Sequence, residues 1–175
     1  MNPNKTEKEI LAKRAIFRAS SGLHFLDQCL IHIHRGATDP AFSRSCYILF
    51  SFNFELILKS YLLLTSKQTE KSELIKEIKS HNLDKLSKKL SKDELGNIGI
   101  KNIRTKKDSG FKEYLIAMTT GNNIVIQDLI DVRYDFEKGN LRNIDKNEST
   151  RMNNEVDILL EMTKKVMKML EYQND

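Results

Sequence analysis

Tryptophan is absent from the 175 residues, and proline (two), cysteine (two) and glycine (seven) are scarce. So few cysteines cannot staple a small secreted scaffold, and so few turn residues cannot punctuate a sandwich, a barrel, a collagen or a solenoid. No secretory leader is expected from Met1 to Arg14, which is charged and has neither a short apolar segment nor a small-residue cleavage site. The longest apolar run, Tyr47 to Leu64, is interrupted by Ser51, Asn53, Glu55, Lys59 and Ser60, so spanning a bilayer would desolvate two charges. These absences predict a cytoplasmic protein with no membrane span. Cys29 and Cys46 are expected as two buried free thiols, because packed helix axes about 8–10 Å apart suit a disulfide poorly and cytosol keeps thiols reduced.

What is present points to helices. The chain is 39% apolar and 30% charged, enough to bury one core, so residues 1–175 read as a single domain. Thr6 and Glu9 fit a capping box, and Ile10, Ile16, Leu23, Leu26, Leu30 and Ile33 then recur at steps of three and four. This predicts a long helix over 6–35, ended by a left-handed cap at Gly36. Asp39 and Pro40 supply an N-cap and N1 residue for a second helix reaching about Thr65, antiparallel to the first. It is apolar almost all round, as befits a central helix. At about 100° per residue its polar side chains Arg44, Ser51, Glu55 and Lys59 fall within roughly 80°, one narrow stripe. Such a stripe reads as a solvated face or structural ion pair; the alternative is a polar network facing a groove or dimer interface.

Beyond Lys67 the spacing predicts a charged helix around Leu74, Ile75 and Ile78, and a short one with Leu83, Leu86 and Leu90 after an Asn82 N-cap. Residues 96–110 read as a basic loop carrying Lys101, Arg104, Lys106 and Lys107. Phe111 to Met118 reads as a further helix. Residues 124–136 fit strand or helix, with helix favoured for want of a partner strand. A final helix starts at Ser149 or Thr150 and buries Val156, Leu159, Met162, Val166, Met169 and Leu170. The net charge of +5 is uneven, residues 67–110 holding twelve basic against seven acidic side chains. A basic surface favours phosphate-bearing partners or simply serves solubility. His24, His32, His34 and His81 form no zinc pattern, and no Walker lysine loop or nucleophile-elbow serine is present. No metal and no cofactor is expected.

Phe54-Glu55-Leu56-Ile57-Leu58-Lys59-Ser60-Tyr61 on the second helix, then His81-Asn82-Leu83-Asp84-Lys85-Leu86, then Val132-Arg133-Tyr134 ahead of a terminal helix, together resemble a HEPN domain (higher eukaryotes and prokaryotes nucleotide-binding). The resemblance covers most of the chain. It implies an all-α, up-and-down helical bundle with a long N-terminal hairpin, a homodimer, and a place in defence or toxin-antitoxin systems. Active members carry an Arg, four to six intervening residues and then a His, placed across the dimer as a metal-independent ribonuclease site. Arg133 is the counterpart by location, yet Tyr134 to Asn140 supplies no His. Arg18 and His24 meet the spacing but lie about 120° apart around the first helix. The resemblance therefore leaves Glu55, Lys59, Arg133 and Tyr134 as residues that bind RNA or a nucleotide, with Arg133 and His81 as catalytic candidates. The alternative is a non-catalytic dimeric module that holds a protein partner such as an antitoxin or a nucleotidyltransferase.

Overall fold

A computed structural model describes residues 6–36, 39–108, 111–133 and 144–172. The first helix, α1 (Glu7–His34), begins where Thr6 N–H donates to Glu9 Oε2 at 3.2 Å. It is followed at Gly36 by a residue with φ of 106°, a left-handed conformation that glycine adopts without steric penalty. The second, α2 (Pro40–Thr65), starts under Asp39, whose Oδ1 accepts from Ala41 N–H at 2.9 Å. The two pack as the expected hairpin, and α7 (Lys146–Tyr172) packs along both. Ile16, Leu23, Leu26 and Leu30 of α1 meet Phe50, Phe54, Ile57 and Leu58 of α2 and Val156, Leu159, Met162 and Val166 of α7 in one core. Ala41–Thr65 is long and apolar enough to cross a membrane, but 67% of its apolar window is buried inside the protein, as befits a core helix. Cys29 and Cys46 are both buried and free; burial, with the neighbouring Cys29 thiol, pushes Cys46 up to about 12.

The expectation of an all-α bundle holds for this helical frame and fails for residues 100–127. After α3 (Lys71–Ile78), α4 (Leu83–Ser87) and α5 (Lys92–Asn97), the chain forms an antiparallel sheet in the order β1 (Ile100–Asp108), β2 (Phe111–Met118), β3 (Asn123–Gln127). The basic loop expected over 96–110 is thus the end of α5 and then β1, the proposed helix over 111–118 is β2, and the ambiguous segment is β3 followed by α6 (Leu129–Arg133). The inner face carries Ile103, Ile116 and Ile124 in register, then Thr105, Tyr114 and Ile126. A bulge between Ile100 and Asn102 breaks the two-residue alternation of β1, which hid that strand and left β2 and β3 without a visible partner. The final helix also starts earlier than expected, because Asp145 Oδ1 accepts from Glu148 N–H at 2.8 Å and so caps it at Lys146.

Side chains from other elements satisfy the outer edge of β3. Glu155 Oε1 on α7 accepts from Val125 N–H at 3.3 Å, and Ser51 Oγ on α2 donates to the Gln127 carbonyl at 2.8 Å. The sheet is thereby fastened to both α2 and α7.

The closest approach in the hairpin sets a test. A Cβ on Gly22 of α1 would stand 2.3 Å from Oδ1 of Asn53, which is 1% exposed on α2, so the amide would have to shift within the core. We expect Gly22→Ala to destabilise the chain by about 1–3 kcal/mol through overpacking, outweighing the roughly 1 kcal/mol that Ala offers over Gly in a free helix. Thermal unfolding checks this: a raised Tm would mean that the hairpin is not packed this tightly.

Candidate functional site

The polar stripe of α2 does not face solvent. Ser51 is 2% exposed and Glu55 1%, while Arg44 is half-buried. An ionised carboxylate at that depth costs several kcal/mol unless charges and hydrogen bonds compensate it. Two side chains do so. Lys59, one turn along the same helix, places Nζ 2.7 Å from Glu55 Oε1. His81, in the connection between α3 and α4, places Nδ1 3.0 Å from Oε1 and 3.2 Å from Oε2. The local sequence fixes that histidine: Ser80 Oγ accepts from Asn82 N–H at 3.1 Å and Asn82 Oδ1 accepts from Lys85 N–H at 3.0 Å, so His81 sits between two capping residues.

Because an ionised carboxylate only accepts hydrogen bonds, the contact assigns the proton of neutral His81 to Nδ1. Nε2 is then the basic nitrogen, on a ring whose side chain is 48% exposed. A buried acid, a cation that balances it and a half-exposed imidazole held by one edge form a unit able to accept or donate a proton at the surface.

A second polar group adjoins the first. Tyr114 of β2, fully buried, donates its hydroxyl hydrogen to Asp128 Oδ2 at 2.5 Å, and Lys112 Nζ lies 2.6 Å from that hydroxyl and 3.2 Å from Asp128. Burial, reinforced by the Asp128 carboxylate, pushes the Tyr114 hydroxyl far above its ordinary range, so it stays protonated. Asp128 Oδ1 accepts from Ile130 N–H at 3.0 Å, capping α6, and Asp131 Oδ2 accepts from Lys112 N–H at 2.9 Å. The backbone of Leu83, two residues after His81, lies near the Tyr114 hydroxyl and slightly offsets the rise in its pKa. Ser51, one turn before Glu55, binds the carbonyl of Gln127, which precedes Asp128. The two groups are thus neighbours along both α2 and the turn into α4, and together present His81, Lys59 and Lys112.

Of the residues expected from the sequence, the structure unites Glu55, Lys59 and His81. It leaves Arg18 and His24 exposed on α1, with no bond to this group among the described residues. Arg133 ends α6, five residues beyond Asp128; its side chain, and all of Tyr134, lie outside the described residues. Lys112, Tyr114 and Asp128 were not foreseen. Their cue was the alternation Lys112, Tyr114, Ile116, Met118 on one face of a strand. No three His, Cys, Asp or Glu side chains gather as a metal-binding set among the described residues.

A third polar cluster is structural. Arg151 of α7 spans Glu148 and Glu155 at 2.5 Å each, and Tyr47 donates to Glu148 at 2.9 Å. Burial opposes ionisation of Glu148, but Arg151 and then Tyr47 outweigh it and hold its carboxyl below the ordinary value. Glu155 behaves oppositely: burial, only partly countered by Arg151, raises it from 4.5 to about 7, and its Oε2 has no partner. No family model, curated protein or solved structure matches the chain.

The sign of the Glu155 shift defines a stability profile. The folded chain holds this proton up to about pH 7, whereas the unfolded chain releases it near 4.5. The stability it contributes is therefore full below 4.5 and lost as pH rises to about 7. We expect the Tm of Glu155→Gln minus that of the native chain to grow across this window and level off above it. A difference independent of pH would show that Glu155 titrates normally.

Proposed function

We propose that this chain is a HEPN-like helical module that binds RNA or a nucleotide in the polar groove formed by α2, the turn into α4, and the Lys112 end of the sheet. The observation that carries the reading is His81, half-exposed and held through Nδ1 by the buried Glu55, with Lys59 on the same carboxylate oxygen. Lys59 is largely engaged by Glu55, so Lys112, 25% exposed, is the cation more open to a phosphate. Arg133, at the end of the helix that Asp128 caps, is the family-implied partner for phosphate charge.

Endonucleolytic cleavage by this module needs no metal. Nε2 of His81 accepts the proton of a ribose 2′-hydroxyl as that oxygen attacks the adjacent phosphorus, and the 5′-oxygen of the next nucleotide leaves with a proton from water. Positive side chains steady the charge gathered on the phosphorane oxygens. In this account the protein is cytoplasmic, a homodimer, and part of a defence or toxin-antitoxin system.

A second reading, a non-catalytic dimeric module for an antitoxin or nucleotidyltransferase, draws support from one specific feature. Phe17 and Phe25, 51% and 61% exposed, project two turns apart from the same face of α1.

Incubation with structured RNA at low salt, with and without chelator, tests these readings. Chelator-resistant cleavage is expected, with His81→Ala lowering the rate about 10²–10⁴-fold, the usual contribution of a positioned acid or base. Arg133→Ala is expected to lower both rate and affinity. Neither binding nor cleavage would leave the interaction module; loss of activity in Arg18→Ala or His24→Ala would move the site to α1.

A further inference from the structure

Residues 79–107 carry nine Lys and Arg against three Asp and Glu, a net +6 that exceeds the +5 of the whole chain. They comprise α4, α5 and nearly all of β1, and both helices pack against that strand. In β1, Lys101 occupies the bulge and Arg104 pairs across to Leu115 and Val125. Both cations are exposed, and neither meets a carboxylate among the described residues. Arg104 stands on the outer face of the sheet with Asn102, Lys106, Leu115, Val125 and Gln127, none of which is buried, whereas Tyr114, Ile116, Ile124 and Ile126 on the other face are.

The register gives this face a direction. Arg104, then Lys106 opposite Glu113 and Gln127, run toward the end of the sheet where Lys112 and Asp128 enter the groove. Phe111 follows Leu115 and Glu113 on this face by strand alternation, while the stretches from Asn102 to Lys106 and from Asn123 to Gln127 bring no aromatic residue, so the grip there is on phosphates. The face also lacks the amphipathic helix with large apolar residues that a lipid surface selects, which favours a soluble polyanion as occupant.

We propose that the outer face of the sheet, with Lys101 and Arg104 as its free cations, is a sequence-indifferent track for the sugar-phosphate backbone of single-stranded RNA, leading into the His81 groove. This rests on the RNA reading above and narrows it: the ligand is a strand of several nucleotides, not a mononucleotide. Affinity then depends on salt, each neutralised phosphate contributing a slope of about −0.7 in log K against log salt.

Fluorescence anisotropy over a salt series tests the track. The probes are an RNA of about 12 uridines, within the roughly 4–16 nucleotides that single-strand grooves engage, a mixed-sequence RNA of equal length, and uridine monophosphate. The two RNAs should bind alike. Lys101→Ser with Arg104→Ser should reduce the magnitude of the slope by about 1.4 and leave monophosphate binding intact, while Lys101→Arg with Arg104→Lys keeps the native slope and so controls for folding. An unchanged slope and affinity in the serine pair overturns the track, as does a tenfold preference between the RNAs. Capture by phosphatidylserine vesicles without RNA binding also overturns it, in favour of a membrane. The underlying site reading fails separately, if His81→Ala leaves monophosphate binding and RNA cleavage unaltered.

Discussion

Glu55 lies within the most apolar helix of the molecule, 1% exposed, where a carboxylate can stay ionised only if its lost hydration is replaced. Lys59 replaces part of it from the same helix, and His81 replaces the rest from the α3–α4 connection. That requirement decides where the connection must run. His81 reaches Glu55 with α4 packed beside α2, and α4 in turn packs on β1, with the Leu83 backbone near the Tyr114 hydroxyl of β2. Tyr114 holds Asp128, and Asp128 starts α6. One buried acid thus propagates through packing and hydrogen bonds to most of the segments outside the helical frame.

The frame itself was legible in the residues. The long three-and-four periodicity of α1, the Asp39-Pro40 start of α2 and the apolar stripe of α7 are repeated signals that tertiary context does not override. The sheet was not legible, for a local reason. The bulge at Lys101 moves Ile103 onto the face of Ile100, so β1 shows no alternation, and its cations imitate a loop. Leu115 and Ala117 on the outer face of β2 then make that strand resemble a helix. Of the site, the stripe on α2 was visible and its destination was not. Period alone gives a direction around a helix: of the two expectations for the stripe, the structural ion pair holds in Glu55–Lys59 and the solvated face does not. His81 stood out as a catalytic candidate through the family resemblance, but nothing in the sequence paired it with Glu55, which lies 26 positions away.

The two outward-facing features of the chain have different chemistry. The Glu55–His81 pair and the basic sheet face offer a positioned imidazole and positive charge, the chemistry that the proposed phosphodiester ligand needs. The phenylalanines of α1 offer apolar area, which suits a folded protein. They lie on different elements of the fold.

The protonation state of the His81 ring tests this account most directly. Long-range proton–nitrogen NMR of the native chain, at a pH where the imidazole is neutral, distinguishes the two nitrogens. The account requires the proton on Nδ1 and a bare Nε2, with that preference lost in Glu55→Gln. A neutral His81 protonated on Nε2, or one that populates both forms as a free histidine does, would contradict the buried carboxylate as the organiser of the site.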